Sequence, residues 1–475
     1  MPSSAAYLVP ALAVGVPVGI YALFLGLVSI PYIQRFAVYA HKVNTLWWPP
    51  HNPNRPERWG FAKNQVTPFP LQTLDHHTLY AWHILPLGIY TRNEEALSAQ
   101  DRSVTNGFVP DITTTLNFKL LRHDPEARLV LYFHGNAGHI TQSIRPRSFH
   151  ALTSVSSKIH VLAIDYRGFG LSTGSPTEEG LILDARAAVD WATKVARVPA
   201  ERIVLLGHSL GTAVAAAAGE HYCCSTHRFG CSASDNGSGT ENGSDEDHVS
   251  STMGRREPLE FAGILLVAGF SSLPTMLSSY AIAGWLPVLR PLSFWPWLLG
   301  KVMSRIVDKW PSADRLTRLT KSAKTDGKKL NLTLIHARND WDIPYCEDDK
   351  LFKGAVKGLV EAELGIGTVY GDGRDYEYEG GERVREEEEQ EVERCVENLL
   401  SKEKGKRTVE RWMGDGTSRK ERDRAAVTTW EDEGVCIRQE LWPYGGHNNL
   451  MFYAPVPMAV MRAFGLVEQT ESTRY

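Results

Sequence analysis

Short apolar runs alternate with amphipathic stretches through the middle of the chain. Apolar runs that predict buried strands occur at residues 79–85, 128–133, 159–164, 203–206, 261–269, 330–336 and 435–441. Residues 177–195 instead carry apolar side chains at helical spacing, with Thr177 as a candidate N-cap. Alternation of strands and helices predicts an α/β fold with a mostly parallel central sheet and helices on both faces.

The first 34 residues follow a different pattern. They contain no charged side chain, and residues 5–33 are almost wholly apolar, which exceeds the roughly 20 residues that cross a bilayer. A secretory signal would need a basic start and a shorter apolar core, and a buried core helix is the other alternative. We predict a single-pass transmembrane anchor over residues 1–34, in the endoplasmic reticulum membrane.

The orientation of this anchor stays open at the level of sequence. Arg35, Lys42 and further basic residues after the span favour a cytosolic position for the rest of the chain. Glycosylation sequons beginning at Asn236, Asn242 and Asn331 would permit a lumenal position. The two signals oppose each other, so no side of the membrane is assigned.

Composition divides the remainder of the chain. Residues 35–70, rich in Pro and Trp, predict a juxtamembrane connector, and residues 71–475 predict one α/β domain with three interruptions. Residues 223–257 are rich in Ser, Gly, Asn and Asp and predict a flexible insert. Residues 271–312 contain many Trp and Pro residues and fit core helices, a cap or a surface that enters lipid. Residues 365–430 are strongly charged and predict a solvated helix or linker.

Overall charge and cysteine usage exclude some classes of protein. A net charge of −4 over 475 residues gives no footprint for nucleic acid. The six cysteines form no CxxC pair or metal-ligand pattern and do not indicate a redox compartment. We therefore expect no nucleic-acid partner and no metal site.

A motif with nucleophile chemistry lies between an apolar run and an Ala-rich segment. Residues 207–211 read G-H-S-L-G. In the G-x-S-x-G turn, small neighbours allow a sharp strand-to-helix connection, and the strained serine exposes its hydroxyl at the carboxyl end of the sheet. The flanking strand and helix make this short pattern informative. We predict that Ser209 is a nucleophile.

A serine nucleophile requires a general base, usually a histidine that a carboxylate holds in place. In α/β folds with this motif the acid and the base follow the serine along the chain, after late strands. Asp340 follows the strand at residues 330–336, and His447 follows the last strand behind two glycines. Asp342 competes with Asp340 for the role of acid, and we favour Asp340.

The remaining candidates surround the reacting carbonyl. Two backbone N–H groups should hold the oxyanion, one from Leu210 and one from Asn136 in the loop after residue 133. Trp295 and Trp297 are candidates for a wall along an acyl chain, and His208 for packing or substrate positioning. The predicted substrate-binding residues are His134, Gly135, His208, Trp295 and Trp297. This chemistry needs no metal or organic cofactor.

Several motifs together resemble a known family. They are H-G-N-A-G at 134–138, D-Y-R-G-F-G-L-S at 165–172, G-H-S-L-G at 207–211, H-A-R-N-D at 336–340 and G-H-N at 446–448. The chain resembles membrane-anchored α/β-hydrolase domain proteins, which include monoacylglycerol and lysophosphatidylserine lipases. The resemblance implies an α/β-hydrolase fold with Ser209 as nucleophile, Asp340 as acid and His447 as base. Asn339, where these lipases often carry an acid, and the long charged insert depart from the pattern.

Residues and resemblance together predict a membrane-anchored serine hydrolase. Its expected substrates are carboxylic esters of lipids, monoacylglycerols or lysophospholipids, and its expected partners are a lipid membrane and an acyl-lipid substrate. A protein acyl-thioesterase is an alternative, because the same triad cleaves oxygen esters and thioesters. A catalytically silent scaffold is a second alternative, against which the intact set of motifs argues.

Overall fold

The computed structural model describes residues 4–43, 52–100, 107–224, 257–279, 281–282, 286–366, 381–401, 407–412 and 425–466. The strands are β1 Val66–Gln72, β2 Thr78–Ile84, β3 Arg128–Phe133, β4 Ile159–Ile164, β5 Ile203–His208, β6 Gly263–Val267, β7 Ala281–Ile282, β8 Leu286–Pro287, β9 Leu330–Ala337, β10 Arg407–Trp412, β11 Ala425–Asp432 and β12 Val435–Trp442.

Helices connect and cover these strands. They are α1 Ser4–Val28, α2 Pro31–Tyr39, α3 Leu87–Arg92, α4 Glu94–Ser98, α5 Leu116–Arg122, α6 Arg145–Ser154, α7 Glu178–Asp190, α8 Leu210–Cys223, α9 Leu273–Ser279, α10 Pro296–Ser304, α11 Ser312–Thr325, α12 Cys346–Glu363, α13 Gly381–Ser401, α14 Gly446–Asn449 and α15 Pro455–Ala463.

Ten of the strands form one sheet in the order β1-β2-β4-β3-β5-β6-β9-β12-β11-β10. The central strands from β4 to β12 pair in parallel, whereas both edges of the sheet are antiparallel. Apolar side chains of α7, α8, α11 and α12 bury one face, and those of α6 and α15 bury the other. Parallel strands covered on both faces read as continuous apolar runs, which explains why the sequence pattern predicted them.

The predicted strands are confirmed, and the sheet has further strands at both of its edges. β3 and β4 have the predicted limits, and Thr177 caps α7 by accepting a hydrogen bond from the Gly180 backbone N–H. β1 was not predicted, and the expected boundary at residue 71 falls inside it. Its two prolines, Pro68 and Pro70, are untypical of a strand, so the sequence pattern did not predict it. An edge strand tolerates proline because the backbone N–H groups on its outer side donate to no neighbouring strand.

The structure of the predicted inserts differs from the prediction in one respect. The insert at 223–257 lies outside the described residues except at its ends. Within residues 365–430, α13 is the expected helix, but β10 and β11 extend the sheet beside β12. The predicted solvated linker therefore includes strands of the central sheet.

The N-terminal segment packs on the rest of the domain. Within the described ranges, no single helix is both long and apolar enough to cross a bilayer, although Gly15–Val28 and Pro31–Tyr39 qualify as a pair with a 95° bend. The Gln34 side chain accepts from the Val307 backbone N–H at 2.8 Å, and the Tyr39 hydroxyl donates to Asp308 at 3.0 Å. The predicted connector from residue 35 therefore begins inside a docked helix.

Candidate active site

Ser209 stands at a sharp turn between β5 and α8. Its backbone has φ 53° and ψ −119°, a left-handed conformation that costs energy in a residue with a side chain. A Cβ on Gly207 would lie 2.2 Å from the Gly211 carbonyl oxygen, and one on Gly211 would lie 2.0 Å from that of Phe133. Both glycines are therefore required for the strand and the helix to approach so closely. The turn has the geometry that the motif predicts.

Asp340 and His447 lie together at the ends of β9 and β12. The Asp340 carboxylate accepts a hydrogen bond from Nδ1 of His447 at 2.9 Å. Its other oxygen accepts from the backbone N–H groups of Asp342 and Ile343, each at 2.9 Å. Burial raises the pKa of Asp340, but hydrogen bonds from His336 and His447 outweigh burial and hold that pKa below its usual range.

The same contacts bear on the choice between the two candidate acids. Asp340 contacts the His447 ring, whereas the Asp342 backbone N–H holds the Asp340 carboxylate in its turn. A carboxylate paired with Nδ1 keeps the proton of a neutral imidazole there, so Nε2 carries the free electron pair. His447 thereby has the tautomer that a general base for a serine requires.

Ser209 and His447 line one cavity of about 340 Å³. Gly135 and Asn136 form part of its floor, and a Cβ on Gly135 would lie 3.2 Å from the Cβ of Ser209. Among the described residues, the Ser209 hydroxyl makes no hydrogen bond to the His447 ring; such contacts are often long before substrate binds. The apolar wall comes from two helices, with Ala37 and Val38 from α2 and Leu273, Met276 and Leu277 from α9.

The loop after β3 is shaped by a buried guanidinium. Arg145 donates hydrogen bonds to the backbone carbonyls of Gly135, Asn136, Ala137 and His139, at 2.6–3.1 Å. With the carbonyls directed at Arg145, the backbone N–H groups of the loop are left for other partners. Over the described part of the chain, neither Asn136 nor Leu210 donates its backbone N–H to a protein acceptor. These two groups are therefore available to a bound ligand.

His208 supports the His447 loop from below. Its Nε2 donates to the His447 backbone carbonyl at 2.8 Å. Burial, with the nearby His447, lowers the pKa of His208 to about 3, so the ring is neutral at physiological pH. His208 also lines the cavity, and its predicted role in packing or substrate positioning stays a prediction.

The other predicted substrate-binding residues occupy different places. Gly135 lines the cavity, but His134 is fully buried behind it and donates from Nδ1 to the Gly135 carbonyl at 2.6 Å. Trp295 and Trp297 lie outside the cavity lining, with 54% and 66% of their surfaces exposed. The expected aromatic wall is therefore replaced by the α9 residues of the same cap-like segment.

Arg145, Ala37 and Val38 line the cavity but were not among the predicted site residues. Arg145 carries no local signal, because its partners are backbone carbonyls that any residue provides. Ala37 and Val38 belong to a segment assigned to a connector. His336 was quoted only as the first residue of a motif, although its ring lies 3.3 Å from the Asp340 carboxylate.

One group of metal-ligating side chains occurs among the residues that the structure describes. Asp340, Asp342 and His447 each place one oxygen or nitrogen within 4.8 Å of the others. The contact between Asp340 and His447 already engages Nδ1 and a carboxylate oxygen in a hydrogen bond. We therefore interpret the group as a hydrogen-bonded pair beside an acidic turn residue.

Comparison with known proteins agrees with this architecture. Residues 128–323 match a family described as alpha/beta hydrolase fold. The chain is 31% identical over 198 residues to lysophosphatidylserine lipase ABHD12 of Xenopus tropicalis, covering 42% of this chain and 45% of that protein. It is 48% identical over 87 residues to Protein ABHD12B of Homo sapiens, covering 18% and 23%.

A solved esterase structure, Pf2001 of Pyrococcus furiosus, is 16% identical with a TM-score of 0.35, covering 63% of this chain and 80% of that one. The matches to the two curated relatives span less than half of the length of either protein. The family match and the sheet order together identify an α/β-hydrolase fold in this chain.

Proposed function

We propose that the chain is a membrane-anchored serine hydrolase that cleaves carboxylic esters of lipids, such as monoacylglycerols or lysophospholipids. The observation that carries the proposal is the strained Ser209 in the same cavity as His447, whose Nδ1 is held by Asp340. The serine, the neutral imidazole and the carboxylate have the roles of nucleophile, base and orienting acid in known hydrolases.

The proposed reaction proceeds through an acyl-enzyme. Ser209 Oγ attacks the ester carbonyl carbon as its proton passes to Nε2 of His447. The resulting oxyanion accepts hydrogen bonds from the Asn136 and Leu210 backbone N–H groups, and the ester C–O bond then breaks as His447 returns the proton to the departing alcohol. Water gives a proton to His447 and attacks the acyl carbon. The bond between that carbon and Ser209 Oγ then breaks as His447 returns the proton to Oγ, which releases the fatty acid and free Ser209.

The lipid character of the substrate rests on the cavity wall and the relatives. Ala37, Val38, Leu273, Met276 and Leu277 provide an apolar side that suits an acyl chain. The protein from Xenopus tropicalis carries the name of a lysophosphatidylserine lipase. The cavity of about 340 Å³ lies at the low end of the volumes of small-molecule sites, about 300–1,000 Å³.

Membrane association has its own structural support. In α1, the side chains Val16, Val18, Ile20 and Leu23 are more than half exposed, an unusual state for apolar residues in water. The Tyr21 hydroxyl in this helix donates to the Val288 carbonyl at 2.8 Å, so the helix is attached to the cap-like segment. We therefore place the N-terminal helix in a bilayer, with the cavity near the membrane surface.

A test compares the full chain in detergent with Ser209→Ala and with Ser154→Ala as a matched control. Ser154 is an exposed serine at the end of α6, away from the cavity. The panel is a monoacylglycerol, a lysophosphatidylserine and a palmitoyl-thioester peptide. We expect Ser209→Ala alone to lose activity, by at least about 10³-fold, with a lipid ester as the preferred substrate.

The other outcomes select the alternatives. Preference for the thioester peptide would replace the lipase proposal with an acyl-thioesterase. If all three proteins were equally inactive on the panel, the scaffold alternative would replace both. Equal activity of Ser209→Ala and the wild type would exclude Ser209 as nucleophile.

A further inference from the structure

A second imidazole lies directly behind Asp340. His336, at the end of β9, is fully buried, and its Nε2 lies 3.3 Å from Asp340 Oδ2 and 3.0 Å from the Ile343 carbonyl oxygen. Its Nδ1 faces Asp348 Oδ1 in α12 at 3.7 Å. Asp340 Oδ2 therefore stands between two imidazoles, with His447 on the cavity side and His336 on the core side.

Oxygen atoms lie close to both ring nitrogens of His336. A neutral imidazole has one N–H group, whereas Nε2 faces two oxygen acceptors and Nδ1 faces a carboxylate. Burial lowers the pKa of His336, but hydrogen bonds and charges from Asp340 and Asp348 outweigh burial and raise that pKa to about 10. The position of the His336 ring between two buried carboxylates therefore favours its protonated form.

Further polar and charged groups surround His336, Asp340 and Asp348. Asp349 and Arg338 contribute charges of opposite sign at the α12 side, and the Gln439 amide donates to Asp348 and Asp349. On the cavity side, His447 faces Asp340, Asp342 and the neutral His208. Asp348, His336, Asp340 and His447 therefore form one series of titratable side chains from α12 to the cavity.

We propose that His336 is a positioning residue that fixes the Asp340 carboxylate and weakens the hold of that carboxylate on protonated His447. The inference rests on the proposed hydrolase function. A cation at the back of Asp340 offsets part of its negative charge, so protonated His447 gains less stabilisation.

Three variants that change the charge around Asp340 should move the pH profile of hydrolysis by different amounts. His336→Gln leaves both carboxylates without the cation, Asp348→Asn leaves the cation with one carboxylate, and the double variant removes one charge of each sign. The acidic limb of the pH profile of kcat/KM reports protonation of the base in the free enzyme. A short neutral ester is the substrate, because it does not titrate itself.

We expect the acidic limb to move to higher pH by about one unit in His336→Gln, since a charge within 4–6 Å commonly shifts a titration by about this much or more. Asp348→Asn should leave the limb in place or move it to lower pH. The double variant should return the limb toward the wild-type position, because it has the same net charge around Asp340 as the wild type. The KM of the ester should stay within about twofold.

Controls separate this role from a loss of folding. His160→Gln removes another buried imidazole, which lies on β4 and pairs with His83 at 3.1 Å, and it should not move the limb. Thermal unfolding and stoichiometric labelling by a fluorophosphonate show that each variant is folded. His336→Asn serves as a second variant if the Gln side chain prevents folding.

Two failures are distinguishable. An acidic limb that stays fixed in both folded His336 variants, while Ser209→Ala abolishes hydrolysis, would overturn the inference and leave the hydrolase proposal intact. Hydrolysis and labelling that persist in Ser209→Ala would overturn the hydrolase proposal itself.

Discussion

The backbone carbonyl of Tyr39 accepts a hydrogen bond from the backbone N–H of Ala137 at 2.9 Å. Tyr39 ends the helix that follows the N-terminal apolar helix, and Ala137 lies in the loop that borders the cavity beside Ser209. The Val43 carbonyl makes a second bond, to the Gly138 N–H at 3.0 Å. The segment expected to be a connector therefore forms part of the cavity and holds the loop that carries Asn136.

Deletion of residues 1–43 should reduce catalysis as well as membrane binding. We expect kcat toward a soluble short ester in detergent to fall by roughly tenfold or more, because small displacements of catalytic groups cost this much. Deletion of residues 1–14 is the control, since it leaves α2 and its contacts in place. Equal kcat in the two deletions would show that α2 does not support the loop.

Arg145→Lys should lower kcat with little change in KM. A lysine has a single charged nitrogen and cannot contact the four carbonyls that the guanidinium of Arg145 holds. If the loop donates to the oxyanion, the loss is specific to the transition state and should be about 10²-fold. Steady-state kinetics on one ester measure it, and an increase in KM alone would contradict this role for Arg145.

His208→Asn should reduce kcat/KM by about tenfold without moving the pH profile. The shorter side chain cannot reach the His447 carbonyl, so the loop that carries the base is less well fixed. Because His208 is neutral over the working pH range, its removal changes no charge. A displaced acidic limb in this variant would show that His208 titrates with the base.

The stability of the protein should depend on His336 at alkaline pH. A folded-state pKa of about 10, raised above the ordinary value near 6.5, stabilises the folded protein fully below about pH 6.5. This contribution is lost progressively as pH rises toward 10. Denaturant unfolding of wild type and His336→Gln should give a stability difference that shrinks from pH 6.5 to 10, and a constant difference would contradict a protonated His336.

Trp295→Ser with Trp297→Ser should affect only substrates in a membrane. Both rings are exposed beside Phe294, and residues 286–307 contain Arg290, Lys301 and Arg305 but no acidic residue. Exposed aromatic and basic residues suit an interface with anionic lipid. We expect hydrolysis of lipid in anionic vesicles to fall several-fold, whereas a soluble ester is cleaved at an unchanged rate. Equal losses on both substrates would instead indicate damage to the cavity.

The sequence by itself determined the parallel strands of the core and the order along the chain of the candidate nucleophile, acid and base. Continuous apolar runs marked the strands that are buried on both faces, and the glycines around Ser209 marked a turn that tolerates no larger residue. Both signals are local, because burial and close backbone approach restrict the residue at that position alone. The pattern did not predict β1, because this edge strand contains prolines that a central strand excludes.

Only the tertiary structure decided which groups meet across the cavity. The contacts of Arg145 with the loop carbonyls, of α2 with Ala137, and of His336 with Asp340 and Asp348 join positions whose residue types have no distinctive spacing. Asp342 competed with the favoured Asp340 in the sequence, and the fold directs the Asp340 carboxylate at His447 and the Asp342 backbone N–H at that carboxylate. Such contacts depend on how strand ends and helices pack, which a one-dimensional pattern does not specify.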